Sequence, residues 1–372
     1  MSTVTLTSDL IIPEVLAPMI NEKLTDNMVF FPIVSYDDTL VGAPGDTISF
    51  PSYAYIGDAD DVDENGLITS VNLSQSSVDK KVKKTAKAVG ITDESVLSAY
   101  GNPLDEASAQ IALAIDNKAD NDVLAELATV SASRQFGYTA PFSYDNVADA
   151  LAIFGEDENG PKALYITATD KATLRKSDDY IKATDLGQEM ILRGTVAGIL
   201  GCSIIVSNKI QNDTTSGELW RYIVKPGAIK IIRKRSVMLE IDREADYQRN
   251  TVYGTYHYVA YLYNEDLMVA MREFTQLNTD TAITSVAGTT ATNDTKLIIP
   301  TSAPVGYKWV YKLGTSAVTT LVFGTAVSGY TDWVSASTEI AGASNTLAHV
   351  VMVNETDNKP VSQQSVTLVK KA

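Results

Sequence analysis

Residues 42–90 read GAPGDTISFPSYAYIGDADDVDENGLITSVNLSQSSVDKKVKKTAKAVG, and the reading of this stretch decides the reading of the rest. It opens on a turn, Gly42-Ala43-Pro44-Gly45-Asp46, built from the residues that turns require. A short strand, Thr47 to Pro51, is expected next. An acidic tip follows, Asp58, Asp60, Asp61, Asp63 and Glu64, ending in Asn65-Gly66. A return strand is predicted from Val71 to Val89, carrying Lys80, Lys81, Lys83, Lys84 and Lys87. Side chains alternate between the faces of a strand, so Lys80 and Lys84 share one face and Lys81, Lys83 and Lys87 the other. Burying an unpaired charge costs several kcal/mol. A ribbon with an acidic tip and charge on both faces therefore does not easily bury itself in its own domain. It can pair with charges on a neighbour, and the stretch is expected to be an arm that clasps an adjoining copy of the chain.

The flanks extend this picture. Residues 1–41 read as a second, N-terminal arm holding a short helix. Pro13 suits a first helical turn, and Leu16, Ile20 and Leu24 lie four apart, which places them on one apolar stripe for contact between copies. Pro18 shortens or kinks any helix there. On the other side, Thr92-Asp93-Glu94 offers a cap with acids in the first turn. Gly101-Asn102-Pro103 interrupts and restarts the helix. Leu104, Ala107, Ile111, Ala114, Ile115, Leu124 and Leu127 then recur at helical spacing. Asp105, Glu106, Asp116, Lys118 and Asp120 are expected on the opposite, solvated face. The result is a helix of about 25 residues, nearly 40 Å long at the usual rise.

Beyond it, Ser143 can cap a helix with Val147, Ala150, Leu151 and Phe154 on one face. Strands are expected at Lys162 to Ala168, Ile199 to Ser207, Trp220 to Val224, Ala228 to Ile232, Val237 to Asp242, Tyr253 to Tyr263 and Leu267 to Phe274. The class is α+β. Composition changes near residue 280. Residues 281–372 contain no arginine, 25 Ser or Thr, six lysines and five acids, a net +1 that leaves −17 for residues 1–280. Short apolar clusters there, among them Trp309-Val310-Tyr311, Thr320-Leu321-Val322-Phe323 and His349 to Val353, predict a separate all-β sandwich.

Composition narrows the function. The 372 residues suffice for two or three domains. A net charge of −16 argues against tight nucleic-acid binding as the main task. The single cysteine, Cys202, reads as a buried thiol. No apolar run approaches a membrane span. Asp61-Val62-Asp63-Glu64-Asn65-Gly66 matches the first half of a calcium loop, but the position that should be Glu is Asn72, so residues 61–72 read as a solvated turn. His257, among Tyr256, Tyr258 and Tyr261, reads as structural. No His/Cys cluster has metal spacing, and no nucleophile-elbow, dinucleotide or phosphate-loop pattern occurs. No catalytic, cofactor or metal residue is assigned, and an enzyme is not expected.

The order of these features resembles one family. Asp9-Leu-Ile-Ile-Pro13-Glu-Val-Leu16, Gly45-Asp-Thr-Ile-Ser-Phe-Pro51, Asp63-Glu-Asn-Gly66 through Glu94, Gly101-Asn-Pro103, Arg193 through Asn208, Lys225-Pro-Gly-Ala-Ile229 and Glu240-Ile-Asp-Arg243 occur in sequence. Together they resemble the major capsid proteins of tailed bacteriophages, with the Hong Kong 97-type fold, over residues 9 to 275. The resemblance implies an N-terminal arm (1–41), an extended loop (42–90), a peripheral domain with a spine helix (91–160 and 226–280) and an axial domain (161–225). Residues 281–372 fall outside it and are expected to be an outward decoration domain, for which an immunoglobulin-like topology is one option. The implied function is an icosahedral shell of pentamers and hexamers around double-stranded DNA. DNA contact inside would be weak and non-specific. The implied partners are a portal and a separate scaffolding protein, with no membrane, and assembly in the host cytoplasm gives a virion capsid. Two alternatives remain open here, an encapsulin-like nanocompartment shell and a surface adhesin.

Overall fold

The computed structural model describes residues 28–371 apart from 54, 55, 57, 58, 60, 62–69, 71, 74, 99–102, 140, 177–197, 211, 214–217, 280, 281, 301, 316–320 and 342–344. Two compact units emerge, one from Met1–Val123 with Lys230–Tyr261, the other from Leu124–Ile229 with Leu262–Ala372.

The first unit is built on a four-stranded sheet in the order Val34–Asp37, Ile229–Glu244, Arg249–Leu262, Lys83–Thr92. The last two strands are antiparallel, with Val252 opposite Val89 and Tyr258 opposite Lys83. Two strands expected at Ala228 to Ile232 and Val237 to Asp242 are one strand of 16 residues. The cations Arg233, Lys234 and Arg235 do not break it. Arg233 makes two hydrogen bonds to the Asp38 carboxylate, at 2.7 and 2.6 Å, and its guanidinium lies 4.5 Å from the centre of the Tyr36 ring.

Helices Asp93–Ser98 and Pro103–Leu127 follow the sheet's edge strand. The Thr92 hydroxyl accepts the Ser95 N–H, as a cap should. Ala107, Ile111 and Ile115 of the long helix are buried. Gly254 allows the close approach, since a Cβ there would lie 2.3 Å from Ile111 Cγ2. Asp116 and Asp120, expected on the solvated face, are buried instead, and the partners of Asp120 explain its place below.

The second unit contains a seven-stranded mixed sheet. Its main path runs Gln135–Tyr138, Met268–Phe274, Glu218–Val224, Lys162–Ile166, Cys202–Val206, Gly198–Ile199, with Asn212–Asp213 paired to Glu218–Val224. It takes strands from both sides of the boundaries expected at 160/161 and 225/226. The apolar run after Gly198 is a hairpin rather than one strand, because Leu200 and Gly201 take positive φ (48° and 76°) and reverse the chain. Helix Tyr144–Ala152 packs Val147, Ala150 and Leu151 into the core. Ser143 and Asn146 form a reciprocal capping box at its start. Cys202 is buried in the same core, and that burial pushes its thiol above the usual range.

An ion cluster ties this sheet together. The buried Arg221 gives two hydrogen bonds to Asp170 (2.8 and 2.6 Å) and one to the Tyr138 hydroxyl (2.8 Å), and pairs with Glu273 at 2.7 Å. Burial would raise the Asp170 carboxyl, but hydrogen bonds from Arg221 and Thr167 outweigh it and hold the group below its usual range. Glu273 is raised, chiefly by burial.

Residues beyond 277 form two sheets over one core. Asn278–Thr279, Pro360–Thr367, Leu347–Asn354, Tyr307–Gly314 and Thr331–Asp332 make one, and Thr284–Ala287, Asp294–Ile298 and Ile340–Ala341 the other. Ile283, Leu297 and Ile340 meet Trp309, Val350, Met352 and Val361 between them. Leu321-Val322-Phe323, expected as a strand, is not one. Phe274, from the mixed sheet, belongs to this same core. Its ring lies 5.1 Å from that of Tyr307, tilted by 55°. Val305 donates its N–H to Gln135 O at 2.9 Å and bridges to Phe136, so it lies along the outer edge of Gln135–Tyr138.

Candidate functional site

The stretch 42–90 opens at Gly42 and Gly45, both at positive φ, and continues into strand Thr47–Tyr53. That strand pairs antiparallel with Gln75–Lys81, Thr47 opposite Lys81 and Phe50 opposite Val78. The return is not one strand to Val89. It breaks at Val82, whose N–H goes to Asp46 O at 2.8 Å, and Lys83–Thr92 joins the four-stranded sheet instead. Among the described residues the ribbon is a sheet of two strands with no third.

The five lysines have different fates. Lys81 pairs with Asp46 across the ribbon's base at 3.0 Å, both side chains largely exposed, and that contact holds the Asp46 carboxyl below its usual range. Lys80 lies 4.9 Å from the centre of the Tyr261 ring, on which Phe50 also stacks at 4.9 Å. Lys83 reaches Asp122 of the long helix at 2.7 Å. Lys84 stands opposite His257 in the register, and Lys87 opposite Gly254; both are exposed. Asp61 is exposed. Asp58, Asp60, Asp63 and Glu64, like Leu16, Ile20 and Leu24, lie outside the described residues, as does most of the stretch weighed as a calcium loop.

Asp122 is the residue that spacing alone did not reveal. Its carboxylate takes Lys83 (2.7 Å), Lys118 (2.8 Å) and the Tyr258 hydroxyl (2.6 Å). Burial opposes the charge, yet these three bonds win and hold the carboxyl below its usual range. Tyr258, fully buried, is shifted the other way by its burial and by Asp122. His257, read from the sequence as structural, is half-buried, and among the described residues its Nδ1 has no hydrogen-bond partner. Partial burial and the charges of Lys84, Arg235 and Lys234 lower it. Chemically the region offers cations, ring faces and an unextended ribbon, the equipment of a contact surface.

No group of three His, Cys, Asp or Glu side chains suited to a metal occurs among the described residues. No helix among them is long and apolar enough to cross a membrane.

Comparison with known proteins gives a consistent set. Residues 75–270 match the family model described as phage capsid protein. The curated major capsid protein of Staphylococcus phage phiMR11 is 37% identical over 268 residues, which is 72% of this chain and 94% of that protein. The solved capsid of cyanophage P-SCSP1u matches with a TM-score of 0.56 at 14% identity, covering 67% of this chain and 88% of its own. That of cyanophage Pam1 matches at 0.56 and 11% identity, covering 67% and 92%. These two are likenesses of fold. Neither a nanocompartment shell nor an adhesin is favoured by any of them.

Proposed function

The chain belongs to the phage capsid protein family, a structural rather than an enzymatic one and a component of the virion, and we propose that it builds its shell by laying residues 42–90 across a neighbouring copy. The observation that carries this reading is the lone ribbon Thr47–Tyr53 and Gln75–Lys81. A two-stranded ribbon is marginal in water by itself. The sequence that joins its two strands is acidic, and the exposed Lys84 and Lys87 offer the complementary charge on the sheet's edge strand. Assembly supplies the missing partner.

On this reading the shell is icosahedral, made of pentamers and hexamers, and encloses double-stranded DNA that the acidic chain touches only weakly and non-specifically. A portal and a separate scaffolding protein complete the assembly, in the host cytoplasm. The division of labour is that of a Hong Kong 97-like subunit. Residues 1–41 are the N-terminal arm, 42–90 the extended loop, 91–160 with 226–280 the peripheral domain and its spine helix, and 161–225 the axial domain. The seven-stranded sheet favours widening the last of these on both sides. Residues 281–372 serve as an outward β-sandwich with an immunoglobulin-like topology. The share of this chain without a counterpart in the phiMR11 protein, more than a quarter, fits an added module of that size.

The test is a loop exchange. Replacing residues 54–74 by a two-residue Asn-Gly turn removes the acidic joining sequence and leaves both described strands of the ribbon in place. Expressed with its natural helpers, the intact chain should give uniform closed shells by negative-stain microscopy. The shortened chain should keep its circular dichroism and lose the shells. Shells of normal size from the shortened chain would refute the clasp.

A further inference from the structure

Two carboxylates near the end of the long helix hold the two places from which the expected arms depart. Asp120 is fully buried and accepts the backbone N–H groups of Val29 at 3.2 Å and Phe30 at 3.5 Å. Phe30 is itself fully buried, so the chain enters the body at a fixed point just after the N-terminal stretch. Asp122, two residues on, receives Lys83, which stands one residue past the break at Val82 where ribbon becomes sheet. The same strand that supplies Tyr258 supplies Tyr261 three residues later, on the opposite face of the sheet. Lys83 lies over the first ring at 5.8 Å, and Phe50 and Lys80 lie on the second. The root of the ribbon is thus gripped from both faces.

Buried carboxylates are retained where their bonds are well made, and bonds to an ionised acceptor are the stronger kind. A helix that needed only a packed face would carry apolar residues at these positions. We propose that Asp120 and Asp122 are positioning residues: the long helix fixes where and in what direction each arm leaves the body, so that each meets its neighbour already aimed. This rests on the clasp reading above and adds that the ribbon is held at its root by the chain's own helix before any neighbour arrives.

The experiment compares Lys83→Met, Lys83→Arg, Lys118→Met and Asp120→Ala in the full chain. Amide hydrogen exchange is followed on the unassembled protein, and shells are then scored with the natural helpers present. Lys83→Met should speed exchange over residues 75–92 about tenfold, as loss of a charge-assisted bond implies. It should leave residues 111–119 protected and give open or irregular shells. Lys83→Arg should restore both readouts. Lys118→Met, which removes only the bond within the helix, should change neither. Asp120→Ala should speed exchange over residues 28–34. Unchanged exchange and normal shells from Lys83→Met would overturn the inference. So would its unfolding as a whole, with residues 111–119 unprotected, because the contact would then serve stability rather than aim. If Lys83→Met closes normal shells while loss of residues 54–74 abolishes them, the root fails and the clasp survives; if both close normally, the clasp fails too.

Discussion

The edge strand Gln135–Tyr138 carries no charge, and its outer side is covered by Val305 of the C-terminal region. The edge strand Lys83–Thr92 carries three lysines, and among the described residues no strand covers it. An exposed strand edge invites pairing with another chain, and proteins blunt it either with a cover or with charge, lysine especially. Both solutions occur here, and the difference is instructive. The uncharged edge is met within one chain, by a hydrogen bond and a bridge from Val305. The charged edge is left without a covering strand among the described residues, and on the clasp proposal it is the one a neighbour would reach.

The largest expected effect falls on the closed edge. Tyr138 in that strand is bonded to Arg221, which depends on Asp170 for two of its bonds. Asp170→Asn leaves a buried guanidinium short of charge, and breaking a buried pair from one side costs on the order of 3 kcal/mol. Urea unfolding of the unassembled chain should show that loss near neutral pH. The Asp170 carboxyl is lowered in the folded state, so its contribution is present above the ordinary aspartate value and disappears as pH falls through the folded one. The deficit of the variant should therefore shrink in acid. Glu273 is raised, so its sign is opposite: between the ordinary glutamate value and its own, the folded state gains stability as pH falls. A deficit that does not vary with pH would mean that Asp170 acts through packing, and the closed edge would lose its electrostatic anchor.

A smaller effect tests the cover itself. A Cβ on Gly137 would lie 2.5 Å from Tyr307 Cε2 and 3.1 Å from Phe274 Cε2. Gly137→Ala must displace the Tyr307 ring, which belongs to the covering region. Overpacking of this kind costs about 1–3 kcal/mol. Shortening the ring in the same chain, with Tyr307→Leu, should recover part of the loss. Were the double variant no better than Gly137→Ala alone, the cover would not be what Gly137 accommodates.

Much of the framework is legible in residues that act locally. Thr92, Pro103 and Ser143 start helices because each satisfies or dispenses with a nearby backbone donor, and such contacts are written in a few adjacent letters. The ribbon is legible for the same reason, from its turn and its alternating charge. What escapes are residues whose partners lie far along the chain. Asp116 and Asp120 fall on an expected solvated face because periodicity assigns a face to a charge but not a partner. The partners of Asp120, Val29 and Phe30, are 91 and 90 residues away. Arg221 and Asp170 are 51 apart, and nothing local to either announces the pair. Arg233-Lys234-Arg235 reads as a break in a strand because Asp38, 195 residues upstream, gives no sign of receiving Arg233. Val82 hides a change of sheet, since both strands flanking it obey the same alternation.

The smallest change in stability should test the open edge most directly. Lys84 and Lys87 are exposed and have no described ion pair, so replacing both by Val should alter folding stability by no more than about 0.5 kcal/mol; the higher strand propensity of Val acts in the stabilising direction. If lysine blunts this edge as it does other exposed strand edges, removing the charge should let the edge pair indiscriminately. Light scattering from the unassembled double variant should therefore rise at concentrations where the unmodified chain stays dispersed, with no matching loss in urea resistance. Lys84→Val alone offers an internal check that the intended face was altered. Partial burial lowers the His257 imidazole first, and Lys84 lowers it further, so the ring should titrate higher by proton NMR once that charge is gone. Scattering that stays flat while His257 moves as expected would mean that the lysines were removed from the right place and were not guarding it, and the contrast between a covered edge and a charged one would then have to be explained by the neighbour alone.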